Sequence, residues 1–593
     1  MTERTATGGG LHYKWIALSN TTLGMLLATL NASSLIIALP VIFRGIHLDP
    51  LDPANFSYLL WVLMGYLLVS AVLVVTLGRV GDIYGRVRMF RLGFVVFTAA
   101  SVALSLIWST GSAGAIELIG FRMVQAVGGA MLMANAAAIL TDAFPANQRG
   151  MALGVNQIAG LAGSFAGLVL GGAMAAIDWR WVFLVNVPVG VAGTVWAYWK
   201  LREVGQRTVA RIDWTGNVAF AAGLAMVLTG IVYGIKPYGG STMGWGNPFV
   251  VTMLVGGVAV LGLFVVIERR VRQPMLNTHL FGIRPFAMGN VAALLAAMGR
   301  GGLQFMLIIW LQGIWLPLHG YDFERTPLWA GIYLVPLTAG FLVAGPVSGW
   351  LSDHFGARPF ATGGMALSVV SLLAMMAIPA NFAYPVFAVV LLVNGIAFGL
   401  FASPNAASVM NSVPARERGA ASGMLATFQN AGFPLSIGVF FSLMVASLQA
   451  SVPHTMFAGL TGHGVPAPTA TALAQLPPLG YLFAAFLGYN PLQTLLGPKV
   501  LGALPPQQTA TLTGRTFFPQ LIAGPFRHGL VVVLAFAACM CLVAAVASWM
   551  RGGRFVHEEA RAHLGARPLA ERNGHAPSVA GDAREPASRR VQP

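Results

Sequence analysis

Residues 78–88 read GRVGDIYGRVR, an aspartate and three arginines set among three glycines between two long apolar runs. A looser copy, GWLSDHFGARP, starts at Gly349. A carboxylate and guanidiniums at the end of an apolar helix can form and break a charge cluster at a water boundary, where each pair is individually weak. Glycines there permit a sharp turn and close helix approach. Gly78, Asp82, Gly85, Arg86 and Arg88, with Asp353 in the copy, are therefore candidates for a gate. Asp82 is expected to meet the loop arginines and a neighbouring helix terminus. The plainer alternative, that the charges only set topology, fits the arginines better than Asp82, which topology does not require.

Charges deeper in apolar runs are costly and mark functional sites. Of the nineteen acidic residues, only Glu117 falls inside a run, near its end. Arg122 lies five positions on, and Arg300 is near the middle of the ninth run. No acidic residue in its own half of the chain lies deep enough to pair with Arg300. A wet cavity is expected, with Arg300 facing Arg122 and Glu117 offsetting the latter. The alternative is snorkelling of Arg300, which its depth opposes. Gln125 and Gln304 belong to a set of uncharged polar residues that serve equally as interhelical hydrogen-bonding groups or substrate contacts.

These residues must be positioned by membrane-spanning helices. The 593 residues are 56% hydrophobic and 9% charged, with a mean hydropathy of +0.72, against about 25% charged in soluble domains. Fourteen runs, from 15–42 to 528–550, reach the roughly twenty residues a spanning helix needs. Their continuity, without alternation, argues for helices rather than a barrel. Arginine and lysine concentrate in one alternate set of connections, including Arg79, Arg86, Arg88, Lys200, Arg202, Arg269, Arg270 and Arg358. The other set holds Arg44, Arg180, Lys236 and Arg325. The first set is expected in the cytoplasm, with both termini, in a plasma or inner membrane. The net charge of +16 is thereby read as a topology signal, not a nucleic-acid surface.

An internal repeat sets the architecture. Gly78, Asp82 and Gly85 match Gly349, Asp353 and Gly356 at an offset of 271, and PANQRGMALG matches PARERGAASG at 269. The expected fold is all-α and integral to the membrane: a cytoplasmic segment 1–14, a six-helix half 15–200, two inserted helices 212–268, a six-helix half 285–550 and a disordered tail 551–593. Within the second half, 448–527 is a long external connection, expected either to hold an amphipathic or re-entrant segment or to form a loosely folded lobe. Paired halves place a substrate site between them near the midplane.

GRVGDIYGRVR resembles the loop signature of the major facilitator superfamily. Gly154, Gly163, Gly167, Gly171 and Gly172 resemble its antiporter motif, except that Leu168 stands where a proline is usual. FRMVQAVGGA, with Arg122, Gln125 and Gly128, resembles its fourth-helix motif. WRWVFLVNVPVG resembles the sixth helix of the fourteen-helix drug:proton antiporter branch. LLATLNASSLIIALP resembles the branch's first-helix motif, but Asn31 stands where an aspartate is usual. The resemblance implies a multidrug-efflux transporter with protons as the candidate coupling ion. Asparagine cannot titrate, so Glu117 or an arginine-linked network would have to substitute.

Three readings follow. The first is an exporter of amphipathic compounds by alternating access. The second is an exporter of lipids or other anionic metabolites. The third is a non-transporting sensor or scaffold, opposed by the retained gating residues. The sequence holds no clustered metal ligands and no G-x-x-x-x-G-K-[ST] loop, so no enzyme, cofactor or ATP-driven activity is expected. The partners expected are a small-molecule or lipid substrate and the surrounding membrane lipids.

Overall fold

The computed structural model describes residues 10–48, 52, 55–145, 148–204, 213–271, 278–323, 325–414, 418–486 and 490–552. The N-terminal segment to residue 9 and the tail beyond Gly552 lie outside them. Fourteen helices are long and apolar enough to cross a membrane: α1 Tyr13–Gly45, α2 Ser57–Tyr84, α3 Arg86–Ser105, α4 Gly111–Ala143, α5 Met151–Ala175, α6 Trp181–Lys200, α7 Trp214–Gly234, α8 Pro248–Arg270, α9 Arg284–Leu318, α10 Thr326–Ser352, α11 Ala357–Ala377, α12 Tyr384–Asn411, α13 Ala421–Thr461 and α14 Phe517–Met550. Helices satisfy every backbone donor and acceptor internally, which a bilayer demands. Fourteen crossings put the start of α1 and the end of α14 on one face, here called the terminal face; the other is the distal face. Exposed tryptophans ring both: Trp108 and Trp181 distally, Trp199, Trp214, Trp350 and Trp549 at the terminal face, as interfacial belts require.

The repeat is visible in the packing. In the first half α1 lies on α5, α3 on α4, α2 on α4, and α3 on α6; in the second α9 lies on α13, α11 on α12, α10 on α12, and α11 on α14. Each pairing recurs eight helices later. The inserted pair α7 and α8 pack on each other, and α7 also touches α2 and α13. Asp213 caps α7, its carboxylate accepting from the Gly216 amide at 2.9 Å, and Asn247 caps α8 ahead of Pro248. Both are standard helix starts.

The connection expected over 448–527 is shorter and more ordered. Helix α13 continues to Thr461 because Leu448, Val452, Met456 and Leu460 form a buried stripe at four-residue spacing, the signature of one helix face. Helix α14 begins at Phe517. Between them lie the short helices Ala467–Ala474, Pro478–Phe486, Leu492–Ala503 and Pro506–Thr513. The apolar segment is inserted rather than loose. Leu479, Tyr481, Leu482, Phe483, Ala484 and Ala485 are all buried, and the Ala485 carbonyl presses on Gly313. Gly313 sits in a π-helical turn of α9, Leu311–Trp315, a distortion frequent at functional sites.

Candidate functional site

The charged end of α2 is held together by Arg86. Its guanidinium donates to Asp82 through Nε at 2.8 Å and through Nη1 to Asp142 of α4 at 2.6 Å. Gly85 makes the turn into α3 with φ +113, a conformation that favours glycine. The start of α3 is met by Glu203, past the end of α6, not by Asp82. The Glu203 carboxylate accepts from the Arg86 amide at 3.0 Å and the Val87 amide at 3.1 Å, a side-chain anion at a helix N-terminus. A methyl group on Gly85 would stand 2.8 Å from that carboxylate. Arg88 is exposed. The close helix approach is made by Gly81 against Asn135 of α4, whereas a methyl on Gly78 would make only an ordinary 3.7 Å contact with Ala134. All these partners belong to one half. The side chain of Asp353, in the copy, lies outside the described residues.

Four of the five motif glycines of α5, Gly163, Gly167, Gly171 and Gly172, form a seam together with Gly160, which is not part of the motif. Gly160 and Gly163 face Met25, Leu26 and Thr29 of α1, Gly167 faces Leu30, and Gly171 faces Ser34. Gly172 turns to the other half: a methyl there would meet the Leu328 Cα of α10 at 2.5 Å and its nitrogen at 2.7 Å. Reciprocally, one on Gly331 would lie 2.6 Å from the Leu168 carbonyl. A proline at 168 would still present that carbonyl, so the Leu168 departure leaves this contact possible. Near the same end the Gln312 amide donates to the Ile37 carbonyl at 3.1 Å. These contacts join the halves close to the distal face. Gly154 departs from the seam, with open space around it.

Deep in the first half, Asn31, Arg122 and Gln125 belong to one polar network. Asn31 Nδ2 and Arg122 Nη1 both donate to Gln125 Oε1, at 3.0 and 2.7 Å. Gln125 Nε2 donates to Ser101 at 2.8 Å, and Asn186 Nδ2 to Asn31 Oδ1 at 3.3 Å. The Arg122 guanidinium lies 4.2 Å from the Tyr66 ring centroid, a cation–π contact. Asn31 thus donates to Gln125, which an ionised aspartate could not do. Arg122 is only 2% exposed, and every group bonded to it is neutral.

Glu117 does not offset Arg122. It sits on an exposed stretch of α4 and accepts from Ser109 at 2.7 Å, because five positions along a helix turn the two side chains to different faces. Nor does Arg300 meet Arg122, whose guanidinium is buried inside its own half with one hydrogen bond, to Gln125, and with Nε left without a partner among the described residues. Arg300 lies against Phe341 of α10, 5.3 Å from the ring centroid, with Gln304 one turn further along α9. Trp310 is buried among Phe382 and Phe387 and serves packing. Glu203, Asp142, Tyr66 and Ser101 are site residues that sequence reasoning missed. The available signals were faint: an acid just past a basic helix end, and a hydroxyl and an aromatic ring placed inside apolar runs.

The profile described as Major Facilitator Superfamily matches residues 21–437. The tetracenomycin C resistance and export protein of Streptomyces glaucescens is 26% identical, over 90% of this chain and 90% of its own. The cephamycin export protein of Amycolatopsis lactamdurans is 31% identical, over 70% of this chain and 82% of its own. Among solved structures, a bacterial homologue of the human lysosomal transporter Spinster, inward-facing and unoccupied, superposes with a TM-score of 0.55 at 17% identity, covering 91% of this chain and 97% of its own.

Proposed function

The chain belongs to the major facilitator superfamily, and from that premise we propose that it exports amphipathic small molecules by alternating access, as a member of the fourteen-helix drug-efflux branch. The observation that carries this reading is the placement of contacts between the halves. Gly172 against Leu328, Gly331 against Leu168 and Gln312 on Ile37 all lie near the distal face. Such a seam suits a transporter closed distally and loaded from the terminal side. Export named for two relatives supports the direction. The substrate lies between the halves, and the Asp82–Arg86–Asp142 cluster steadies the entry side of the first half.

The terminal face is the cytoplasmic one on this reading, because it carries the arginine-rich connections. A cysteine introduced at Ala467, exposed in the distal lobe, should react with a membrane-impermeant maleimide in intact cells. Reaction only after permeabilisation would reverse the orientation.

The deciding experiment reconstitutes the purified chain in liposomes and follows rhodamine 6G and carboxyfluorescein under an imposed pH gradient or an imposed potassium diffusion potential. Net movement of either dye, above that of empty liposomes, is expected; movement of neither would remove the export reading. The amide network around Asn31 offers proton exchange no carboxylate among the described residues. The pH gradient should therefore act weakly on the wild type. Asn31→Asp, which installs a titratable group there, should respond to it more strongly.

A further inference from the structure

Arg300 is aimed by the glycines around it. A methyl on Gly299 would stand 3.2 Å from Cys541 of α14, one on Gly301 2.6 Å from Phe433 of α13, and Gly302 presses on Phe440 of α13. With its chain neighbours packed on α14 and α13, position 300 is left the side toward α10, where its guanidinium rests near Phe341. The side chain is half-buried. It makes no hydrogen bond or ion pair among the described residues. Gln304, four positions on and so on the same helix face, is also half-buried and makes no hydrogen bond among them.

A guanidinium carries five N–H donors and keeps its charge. The ring of Phe341 can favour its face but takes none of those donors. A charged group at this depth needs water or a partner, and a planar fork of donors fits the paired oxygens of a carboxylate, sulfonate or phosphate. The Gln304 amide adds two donors one turn away, while Phe341 supplies an apolar surface beside the charge. Arg122 does not duplicate the site, because its guanidinium is enclosed at 2% exposure against Gln125 and the Tyr66 ring, whereas Arg300 is only half-buried.

We propose that Arg300 and Gln304 form a subsite for the anionic group of the transported molecule, whose apolar body lies along Phe341. This rests on the export reading and names its substrate class: an amphipathic anion, whether a free organic acid or an anionic lipid. A cationic drug would meet a like charge here and be repelled. An anion leaving a cell that is negative inside moves down the electrical gradient, so its export runs faster when that potential is imposed.

Binding is tested on the full chain in detergent by fluorescence polarisation, with carboxyfluorescein as the anion and rhodamine 6G as the cation. Arg300→Gln should lower the ratio of carboxyfluorescein to rhodamine affinity at least tenfold, Arg300→Lys by less, and Gln304→Ala severalfold. A ratio within twofold of wild type in Arg300→Gln overturns the subsite. So does an equal loss of both dyes in Arg300→Gln and Arg300→Lys while the protein elutes like wild type, which would make Arg300 a packing residue. In proteoliposomes, efflux of carboxyfluorescein and flip of NBD-phosphatidylglycerol, each against its Arg300→Gln control, separate a free anion from a lipid source; loss of either supports the subsite. If the binding ratio shifts as expected but nothing crosses the bilayer, the subsite stands and the export reading falls.

Discussion

Replacing Gly172 with valine should open the distal face. A methyl group there already stands 2.5 Å from the Leu328 Cα and 2.7 Å from its nitrogen, and backbone atoms cannot swing aside as a side-chain tip can. Valine adds two further carbons at a contact between the two halves, so the strain falls on the distally closed state and is relieved when the halves part. Overpacking of this kind costs about 1–3 kcal/mol. If that cost is borne by one state alone, the balance between the two shifts by roughly 5- to 150-fold. Spin labels at Ile177 and Arg325 should report a longer distance in the variant. Gly331→Ala, made against the Leu168 carbonyl on the same seam, should move the distance in the same direction by less. An unchanged distance in both variants would mean that the seam does not set the distal closure.

The second large effect is expected at Arg86. Its guanidinium holds Asp82 and Asp142 together, with all three side chains about one quarter exposed. Arg86→Ala leaves two carboxylates facing each other without their shared cation. Loss of charge-assisted bonds to partly buried groups costs on the order of 1–3 kcal/mol. Transport should fall more than tenfold while the protein still inserts, since no core contact is removed. Asp82→Ala and Asp142→Ala should each cost less than Arg86→Ala, because the arginine keeps one partner in either case. The losses should be non-additive, as for any shared network. Glu203→Ala frees two amide donors at the start of α3 and should cost about 1 kcal/mol, as the loss of a helix cap does. Measured thermal stabilities and transport rates across the four variants check the ordering; equal effects of Glu203→Ala and Arg86→Ala on transport would place the weight on the cap instead of the ion cluster.

The long-range plan was legible because it is written in local terms. Run length and continuity give fourteen helices, and the offset between GRVGDIYGRVR and GWLSDHFGARP gives two halves. The glycines of α5 could be read as a packing seam, since small residues at helical spacing have few other uses in a membrane. What could not be read is rotation and depth. Glu117 and Arg122 are close in sequence, yet helix geometry turns them apart. Arg122 and Tyr66 are far apart in sequence, and only the packing of α2 on α4 brings the ring to the guanidinium. Glu203 reaches the start of α3 from beyond α6, which no spacing rule links to Arg86. The end of α13 is hidden from sequence because a hydropathy run stops where its polar residues begin, whereas the helix continues on a buried stripe. Gly154 shows the converse: a motif position whose surroundings in this structure require no glycine.

The inserted pair is fastened to different halves at opposite ends. Near the terminal face, Thr76 of α2 donates to Asn217 of α7 at 2.5 Å. At the distal turn between α7 and α8, Thr242 hydrogen-bonds to Gln449 of α13. Between these points the contact with α13 is greasy, with Ile231 of α7 set against Gly438. A strap pinned this way resists axial slip of one half past the other. It can tilt about its two pins, since among the described residues no hydrogen bond joins α7 to α13 between them, only apolar packing such as Ile231 in the notch at Gly438. The extra helices therefore restrict the protein to fewer directions of movement, working less like a third domain than like the guide rail of a hinge.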